Sequence, residues 1–456
     1  MRRRGTISAI LILALATQSA FRVRFTQTAY AAAPATYMVV DLDTLGGSTS
    51  YAQSINNLGQ ITGASTLPGD PTDPLGDPIT HGCLFSNGQI IDLGTLGGYS
   101  SGAIGINDTG QVVGDSFPPG NSMAYGGFAH HAFLYSGGVM TDLGTLGGQY
   151  GSSATGINNS GQVVGQADLP SGPLRGFIYS NGVMLEIPTP TSGYTVAYAN
   201  NNQGLVVRTL EPPASTAQHA FTYDSRNPPV NHPPLTDLGT LGGNFCQAIS
   251  VNDSGWVAGE SSLPGPPDSE SLHAFASLGG GLLDLGTLPG DTFSSAAHIN
   301  AFGQVVGWSA PADFGTSRGF LWSNGVMQDL NTLIPADSGW QITSANGIND
   351  LGQIVGVGVR NGQQHAVLLT APTQSILNVG SLVLSFHLHH GIENSFLVKL
   401  QQAYAAANGG DIATACNLLS DFLNQVNAQS GKALTTSQAD QLIAGANQAR
   451  TAIGCQ

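Results

Sequence analysis

Five histidines recur at the same place in a repeated phrase, and they are the first candidates for chemistry in this chain. Imidazole can bind a metal ion or take part in hydrogen bonds. Equivalent positions in successive repeats spread around a fold and need not converge on one ion, and two repeats carry Arg175 and Arg318 instead. We therefore interpret the histidines as hydrogen-bonding groups within each repeat. They are His81, His131, His219, His273 and His365.

A second group of histidines, His387, His389 and His390, is the densest in the sequence. Such tracts can bind zinc or copper, which makes these residues weak candidates for a metal site. The competing interpretation, which we favour, is an exposed helix end before Gly391. We predict no cofactor. Calcium is the alternative, because aspartates occur in recurring Asn-Asp-x-Gly turns, although a loop offering roughly six to eight oxygen ligands is not evident.

Other residues also invite a functional interpretation. Trp256, Trp308, Trp322 and Trp340 could stack on sugar rings, but packing in the core is the interpretation that we favour. The recurring aspartate of Asp-Leu-Gly is interpreted as a hydrogen-bond acceptor in a turn or between repeats. The sequence has none of the spacings typical of a nucleophile elbow, a phosphate loop, a metalloprotease helix or a zinc knuckle.

These residues belong to an internal repeat. Its most regular phrase, Asp-Leu-Gly-Thr-Leu-Gly-Gly, begins at Asp92, Asp142 and Asp237, and a degraded copy lies near Glu186. Variants begin at Asp41, Asp284 and Asp329. The repeat length averages roughly 48 residues, within the range of about 40–50 that propeller blades show.

Each repeat contains four short phrases rich in Val, Ile, Phe and Tyr, a pattern that predicts four strands. Asn-Asp-x-Gly separates the first two phrases, for example at residues 107–110, and favours an Asx turn ending in glycine. Asn-Gly separates the last two, for example at residues 181–182, and is the preferred two-residue hairpin turn. Four antiparallel strands per repeat predict a propeller blade.

The ends of the repeat region are one strand out of phase. It starts with a fourth phrase at residues 37–42 and stops after a third phrase at residues 365–370. In a ring, the N-terminal strand would complete the last blade and leave no blade unfinished. We therefore predict an all-β, seven-bladed β-propeller of four-stranded blades over residues 37–370, closed by the N-terminal strand.

This repeat resembles the HAF family of bacterial extracellular repeats, which is named for its His-Ala-Phe signature. The signature stands here at residues 131–133, 219–221 and 273–275, with variants at 81–83 and 365–367 and Arg-Gly-Phe at 175–177 and 318–320. The resemblance covers residues 37–370. It implies secretion, and it implies no established reaction or ligand.

Residues 1–33 are typical of an export signal, with three arginines at residues 2–4, an apolar run at residues 7–16 and small residues near Ala33. Arg22 and Arg24 follow the apolar run. Cleavage after Ala20 is the alternative. The apolar run is too short to span a membrane, which takes about 20 residues, and no second long apolar stretch follows.

Removing the signal leaves 8 basic against 28 acidic side chains. Such an acidic surface repels phosphate, so nucleic acid is a poor candidate partner.

The composition changes after a predicted linker at residues 371–377. Residues 378–456 show the spacing of three or four short helices, and Thr435 with Gln438 is typical of a capping box. Cys416 and Cys455 lie in this segment and are the predicted disulfide, whereas a bond between Cys83 and Cys246 is not expected. Several landmarks, among them residues 415–417 and 429–432, resemble a FIMAH-type helical module of secreted bacterial proteins.

Together these features predict a secreted scaffold that binds or displays an extracellular protein or glycan at or outside the cell surface. No catalysis is predicted. The alternative is a propeller hydrolase or lyase acting on extracellular polysaccharide, because propellers can assemble active sites from scattered loops. A purely structural component of the envelope is a third interpretation. Because the second interpretation is an enzyme, the question of enzymatic activity stays open.

Overall fold

The computed structural model describes residues 37–73, 76–119, 130–189, 194–210, 218–226, 235–265, 271–371, 373–386, 388–408 and 411–455. The chain divides into two compact units, one of which is Tyr37–Asn378 and the other of which contains Val379–Gln456. The predicted export signal, residues 1–33, lies outside the described residues.

The first unit contains 28 described strands in seven four-stranded antiparallel sheets, which we call blades. Blade 1 contains β2 Ser50–Ile55, β3 Ile61–Thr66, β4 Thr80–Ser86 and β5 Gln89–Asp92. Blade 2 contains β6 Ser101–Ile106, β7 Val112–Ser116, β8 His131–Ser136 and β9 Val139–Asp142. Blade 3 contains β10 Ser152–Ile157, β11 Val163–Asp168, β12 Leu174–Ser180 and β13 Val183–Glu186. Blade 4 contains β14 Val196–Asn200, β15 Leu205–Leu210, β16 His219–Asp224 and β17 Leu235–Gly239. Blade 5 contains β18 Cys246–Val251, β19 Val257–Ser262, β20 Leu272–Ser277 and β21 Leu283–Gly286. Blade 6 contains β22 Phe293–Ile299, β23 Val305–Ala310, β24 Arg318–Ser323 and β25 Val326–Asp329. Blade 7 contains β26 Gln341–Ile348, β27 Ile354–Arg360, β28 Gln363–Thr370 and, from the other end of the chain, β1 Met38–Asp41.

Strand β1 closes the ring by completing blade 7. It pairs antiparallel with β28, with Met38 opposite Thr370 and Asp41 opposite Val367. The seven-bladed propeller closed by the N-terminal strand is therefore confirmed. The predicted strand at residues 37–42 is one residue longer at each end than β1.

The core of the propeller lies between the blades. The phenylalanine of the His-Ala-Phe or Arg-Gly-Phe phrase is fully buried in four blades, as Phe133, Phe177, Phe275 and Phe320. Phe177, for example, packs in one cluster with Val113, Ala132 and Ala154, and so joins strands of blades 2 and 3. Burial of such a large ring is a substantial apolar contribution to the stability of these four blades.

Blade 4 departs from this plan at Arg208. Six blades have glycine at the equivalent position, and a Cβ atom on Gly165, for example, would lie 2.1 Å from the carbonyl oxygen of Ser153. Arg208 is fully buried, donates from Nη1 to the carbonyl of Pro188 at 3.0 Å, and has its pKa lowered by burial to about 10. Pro188 belongs to the degraded phrase that leads from blade 3 into blade 4, so both departures from the repeat occur at one place.

The described residues of the second unit form helices. The first of these helices, α1, extends across the boundary between the units. The helices are α1 Gln374–Ser385, α2 His390–Asn408, α3 Ile412–Gln429 and α4 Thr436–Ala452. The predicted linker overlaps α1, which begins at Gln374, so residues 374–377 are helical. None of the helices in the described part of the chain is long and apolar enough to cross a membrane.

Two local features of the helical unit agree with the sequence. The capping box of Thr435 and Gln438 is present at the start of α4. Cys416 and Cys455 form the predicted disulfide, with their Cα atoms 5.6 Å apart. Phe396 of α2 and Phe422 of α3 meet edge to face at 5.3 Å in the core, so packing and the covalent link both hold this small unit together.

A closed ring of seven asparagines joins the blades around the central axis. Each stands at the turn after the first strand of its blade and donates from Nδ2 to the backbone carbonyl of its counterpart in the next blade, at 2.8–3.1 Å. The last of them, Asn349, donates back to Asn56 of blade 1. The ring residues are Asn56, Asn107, Asn158, Asn201, Asn252, Asn300 and Asn349.

The same side chains shape the turns that carry them. Asn107 accepts from the backbone N–H groups of Thr109 and Gln111, at 3.1 and 2.9 Å, and Gly110 completes the turn with a φ of +78°. This is the predicted Asx turn. One buried asparagine thus fixes the turn of its own blade and the position of the next blade.

Replacing Asn107 by alanine should lower the free energy of unfolding by about 2–4 kcal/mol, because it leaves buried backbone groups of two blades without partners. The matched control is Asn159→Ala. Asn159 follows a ring asparagine and also bonds blade 2, through Asp108, but these bonds are exposed to solvent. Blade 6 naturally has Ala301 at that position, so we expect a loss below about 1 kcal/mol. Urea unfolding followed by circular dichroism checks both values. Equal losses in the two variants would contradict the role of the ring.

Candidate functional site

The strand directions give the propeller two chemically different faces. First strands end at the ring asparagines, so we call that side the asparagine face. The opposite side, which we call the loop face, carries the loops between second and third strands and the connections from each fourth strand to the next blade. Strand β1 starts and β28 ends at the asparagine face, since Met38 pairs with Thr370 there. The chain therefore enters and leaves the propeller on that side.

The repeated histidines lie at the loop face and pair with aspartates of their own blades. In every case Nδ1 lies 2.8–3.1 Å from the carboxylate oxygens at the end of the fourth strand. The pairs are His81–Asp92, His131–Asp142, His219–Asp237, His273–Asp284 and His365–Asp41. The structure thus shows the expected hydrogen bonding within each blade and distributes the five imidazoles around the ring.

The two arginine blades keep the same plan with a different donor. Arg318 lies 2.8 Å from Asp329, and Arg175 lies 3.4 Å from Glu186. Asp92 also accepts from the backbone N–H of Gly94 at 2.7 Å, and the aspartates of other blades repeat this bond. The Asp-Leu-Gly carboxylates therefore hold a histidine and a turn, which is the expected role of an acceptor.

Aromatic residues recur at the loop face, at the starts of the first strands. In blades 2 to 7 an aromatic residue stands within two residues of the start of the first strand, the strand closest to the axis. Tyr150 and Tyr194 are 47% and 63% exposed, so their rings are accessible from outside. The six residues are Tyr99, Tyr150, Tyr194, Phe245, Phe293 and Trp340.

A second layer of rings from the loops supports this set. Phe314 stacks on Phe293, with ring centroids 4.5 Å apart and an interplanar angle of 13°. Phe314 is 64% exposed and has a φ of +50°, a backbone conformation that is costly for a bulky residue. Such strain concentrates at functional sites, so we treat this stack as part of a ligand surface.

The tryptophans divide between the core and this face. Trp322 is buried in a cluster of blades 5 and 6, and Trp256 packs against the same cluster. Trp308 is partly buried in β23. Trp340 stands at the loop face, where the guanidinium of Arg360 lies 5.6 Å from its ring centroid. Core packing thus accounts for two of the four, and Trp340 belongs to the aromatic set.

An acid–serine pair bridges neighbouring blades at two places. Asp115 of β7 accepts from Ser153 Oγ of blade 3 at 2.7 Å. Glu260 stands at the equivalent position of β19 and bonds the hydroxyl of Ser295 of blade 6. Burial raises the pKa of Glu260, and the bond from Ser295 partly offsets this shift. These two carboxylates are spaced three blades apart around the axis.

A cavity of about 170 Å³ opens at the asparagine face around the axis. Beside the ring asparagines it is lined by Asp108, Asp253 and Asp350, and each of these carboxylates accepts from the turn of a neighbouring blade. His298 also lines it, and burial lowers the pKa of this imidazole. Among the described residues no cluster of three histidine, cysteine or acidic side chains is arranged to hold a metal ion.

The remaining predicted site residues lie outside these surfaces. His389 is exposed at the N-terminal end of α2, directly before its first residue, His390. His387 lies outside the described residues, and the side chain of His390 is likewise not described. Cys83 and Cys246 are buried free thiols in different blades, and burial raises the pKa of Cys246 to about 12.

Sequence reasoning missed the asparagine ring and the aromatic set. Both leave a signal once the repeats are aligned. The ring asparagine is present in all seven repeats, including blade 4, where it is Asn201 and follows the degraded phrase. An aromatic residue just before the first phrase recurs in six repeats, although the phrase around it varies.

No protein-family model and no curated protein matches this chain. Similar solved structures include the β-propeller domain of the Trilobed protease from Pyrococcus furiosus, at 10% identity over 70% of this chain and 95% of that chain, with a TM-score of 0.45. TolB from Acinetobacter baumannii is 14% identical over 60% of this chain and 62% of its own, with a TM-score of 0.38. A Trypanosoma rangeli sialidase is 10% identical over 75% and 62%, with a TM-score of 0.37. Likeness at this level carries no information about a ligand.

The raised pKa of Glu260 predicts a pH-dependent effect of Glu260→Gln. A carboxyl whose pKa is raised on folding binds more protons in the folded state, so its ionisation lowers stability as pH rises through that pKa. Glutamine does not titrate. We therefore expect Glu260→Gln to gain stability over the natural protein at pH 7.5 and to lose this advantage near pH 4.

Thermal midpoints at the two pH values provide the measurement. Asp337→Asn is the control for general relief of negative charge, because Asp337 is exposed on the same propeller. A gain for Glu260→Gln that matches the control, or that is equal at both pH values, would show that burial of Glu260 has no such effect.

Proposed function

We propose that the propeller is the binding part of a secreted protein and that its loop face holds an extracellular polysaccharide. The observation that carries this proposal is the aromatic residue at or just before the first strand in each of blades 2 to 7, with Tyr150 and Tyr194 exposed. Flat aromatic rings bury the apolar C–H faces of sugars, and the hydroxyl and carboxylate groups between them can bond sugar hydroxyls.

The arrangement favours a glycan over a protein as the ligand. The rings are spaced one per blade and separated by exposed polar groups such as Ser48, Gln149 and Asn244. A protein interface concentrates its aromatic anchors in a contiguous desolvated centre. A chain of sugar rings can instead use separate platforms, each with its own polar neighbours.

Three features support an extracellular setting. Residues 1–33 are typical of an export signal, and the disulfide between Cys416 and Cys455 is of a kind that persists in oxidising compartments. The resemblance to HAF repeats and to a FIMAH-type module implies the same setting. The low number of basic residues argues against nucleic acid as the ligand.

The test is binding of the mature chain to a panel of soluble and insoluble polysaccharides. We expect at least one polymer to bind, and Tyr150→Ala combined with Tyr194→Ala to weaken that binding roughly tenfold, because two stacking platforms are lost. The matched control is Phe302→Ala, an aromatic residue that is 51% exposed on the asparagine face and whose loss should leave binding unchanged.

Three results would contradict the proposal. The first is failure of every polysaccharide to bind at high micromolar concentration. The second is an equal loss in Phe302→Ala. The third is cleavage of the bound polymer, which would make the protein a hydrolase or lyase.

A further inference from the structure

One corner of the loop face combines a carboxylate with a stack of aromatic rings. We call it the Asp115 subsite, and it consists of Tyr51, Tyr99, Asp115, Phe117, His130 and Ser153. These residues come from blades 1, 2 and 3. The subsite lies within the face to which we assign polysaccharide binding, so any ligand assigned to it rests on that proposed function.

The carboxylate of Asp115 has one oxygen engaged and one with space beside it. Oδ2 accepts from Ser153 Oγ at 2.7 Å. Oδ1 lies 3.9 Å from His130 Nδ1, beyond the length of a hydrogen bond, and the Asp115 side chain is 24% exposed. A Cβ atom on Gly102 would lie 3.9 Å from both Asp115 Oδ1 and the hydroxyl oxygen of Tyr51, so these two groups border the same space. Burial and the negative charge of Asp115 both raise the pKa of the Tyr51 hydroxyl.

Three rings form a stack next to Asp115, with Phe117 in the middle. Tyr99 stacks on Phe117 with centroids 4.5 Å apart, and Phe117 lies 4.9 Å from the ring of His130. His130 in turn joins the next blade, because its carbonyl accepts from Ser152 N–H at 2.8 Å. A stack of aromatic rings therefore stands beside a negative charge.

Blade 5 shows which part of this arrangement belongs to the blade plan. Glu260 and Ser295 repeat the acid–serine pair of Asp115 and Ser153, but Ser262 stands in place of Phe117. Ser262 accepts from the backbone N–H of Phe245 at 2.9 Å. The acid–serine pair is thus part of the contact between blades, whereas the stack of aromatic rings is found at blade 2 and not at blade 5.

The charge around the subsite has one sign. Residues 37–174, which include blades 1 and 2 and most of blade 3, contain ten aspartates and no lysine or arginine. A surface of one sign attracts ligands of the opposite charge and repels those of its own. The subsite consequently disfavours sulfated sugars and uronic acids and favours a cation.

We propose that the Asp115 subsite binds the ammonium group of an amino sugar. The ammonium would lie against Asp115 Oδ1, with the hydroxyl of Tyr51 as a further acceptor, and the pyranose ring would pack against the solvent-facing side of the stack of Tyr99, Phe117 and His130. An ammonium gains from a charge-assisted hydrogen bond to the carboxylate. The polysaccharide bound by the loop face would then be one that carries free amino groups.

The test compares two probes on the mature chain at low ionic strength by titration calorimetry. They are a β-1,4-linked glucosamine pentamer and its fully N-acetylated counterpart, which lacks the charge. We expect the glucosamine pentamer to bind at least roughly tenfold more tightly, and the difference to shrink in 0.5 M salt, as screening of a partly exposed pair requires.

The matched variants are Asp115→Asn and Glu260→Gln. Asparagine can still accept from Ser153, so the blade contact is kept while the charge is lost. We expect Asp115→Asn to abolish the preference for the glucosamine pentamer and Glu260→Gln to retain it. Phe117→Ser, which introduces the residue of blade 5, should weaken binding of both pentamers. Thermal midpoints establish that each variant is folded.

The outcomes separate this inference from the proposed function. Equal binding of the two pentamers, with sensitivity to Tyr150→Ala and Tyr194→Ala retained, would overturn the amino-sugar subsite and leave polysaccharide binding in place. Failure of both pentamers and of the whole polysaccharide panel would overturn both. Binding of pentalysine as tight as that of the glucosamine pentamer, with equal sensitivity to Asp115→Asn, would show that charge alone is recognised and would overturn the assignment to a sugar.

Discussion

The hydrogen bond from each ring asparagine to the next blade is the interaction on which this architecture depends. A propeller blade is a small sheet that cannot bury its faces alone, so it needs defined neighbours on both sides. The side chain of Asn107 accepts from its own turn through Oδ1 and donates from Nδ2 to the backbone carbonyl of Asn158 in the next blade. The geometry of one turn is thereby transmitted to the next. After seven such steps the ring closes at Asn56, and strand β1 completes the last sheet.

This constraint leaves the two faces with different tasks. The asparagine face carries the ring, and its carboxylates are engaged by the turns of neighbouring blades. Both ends of the propeller chain are also on that side. The loop face is held at its edge by the histidine–aspartate pairs and by Ser50, Ser101 and Ser152, which bridge adjacent blades. The residues between these fixed points vary from blade to blade. The aromatic rings and the Asp115 subsite lie at these variable positions.

The fold could be predicted because its determinants are local and repeated. Asn-Gly and Asn-x-x-Gly mark turns through conformations that glycine and asparagine adopt readily, and the out-of-phase ends of the repeat indicate closure. Hydrogen bonding of the histidines within each blade could be expected for the same reason, since His131 and Asp142 lie on adjacent strands of one hairpin.

Features that depend on contacts between blades could not be predicted in this way. The bond from Asn107 to Asn158 joins residues 51 positions apart, and a single repeat contains no trace of it. Arg208 occupies a glycine position and bonds the carbonyl of Pro188, a contact that the other six repeats do not indicate. Pro372 favours a linker at residues 371–377, but a proline shortly before a helix does not prevent its start, and α1 begins at Gln374. The candidate site could not be predicted either, because residues from three blades form it.

The claim that the loop face binds polysaccharide is tested most directly by hydrogen exchange of the mature chain with and without the bound polymer. Binding at this face predicts slower exchange at residues 98–101, 149–152 and 243–246, which carry aromatic residues at the loop face, and no change at residues 56–60 and 107–111 of the asparagine face. Protection confined to the asparagine face, or to the outer strands, would contradict it.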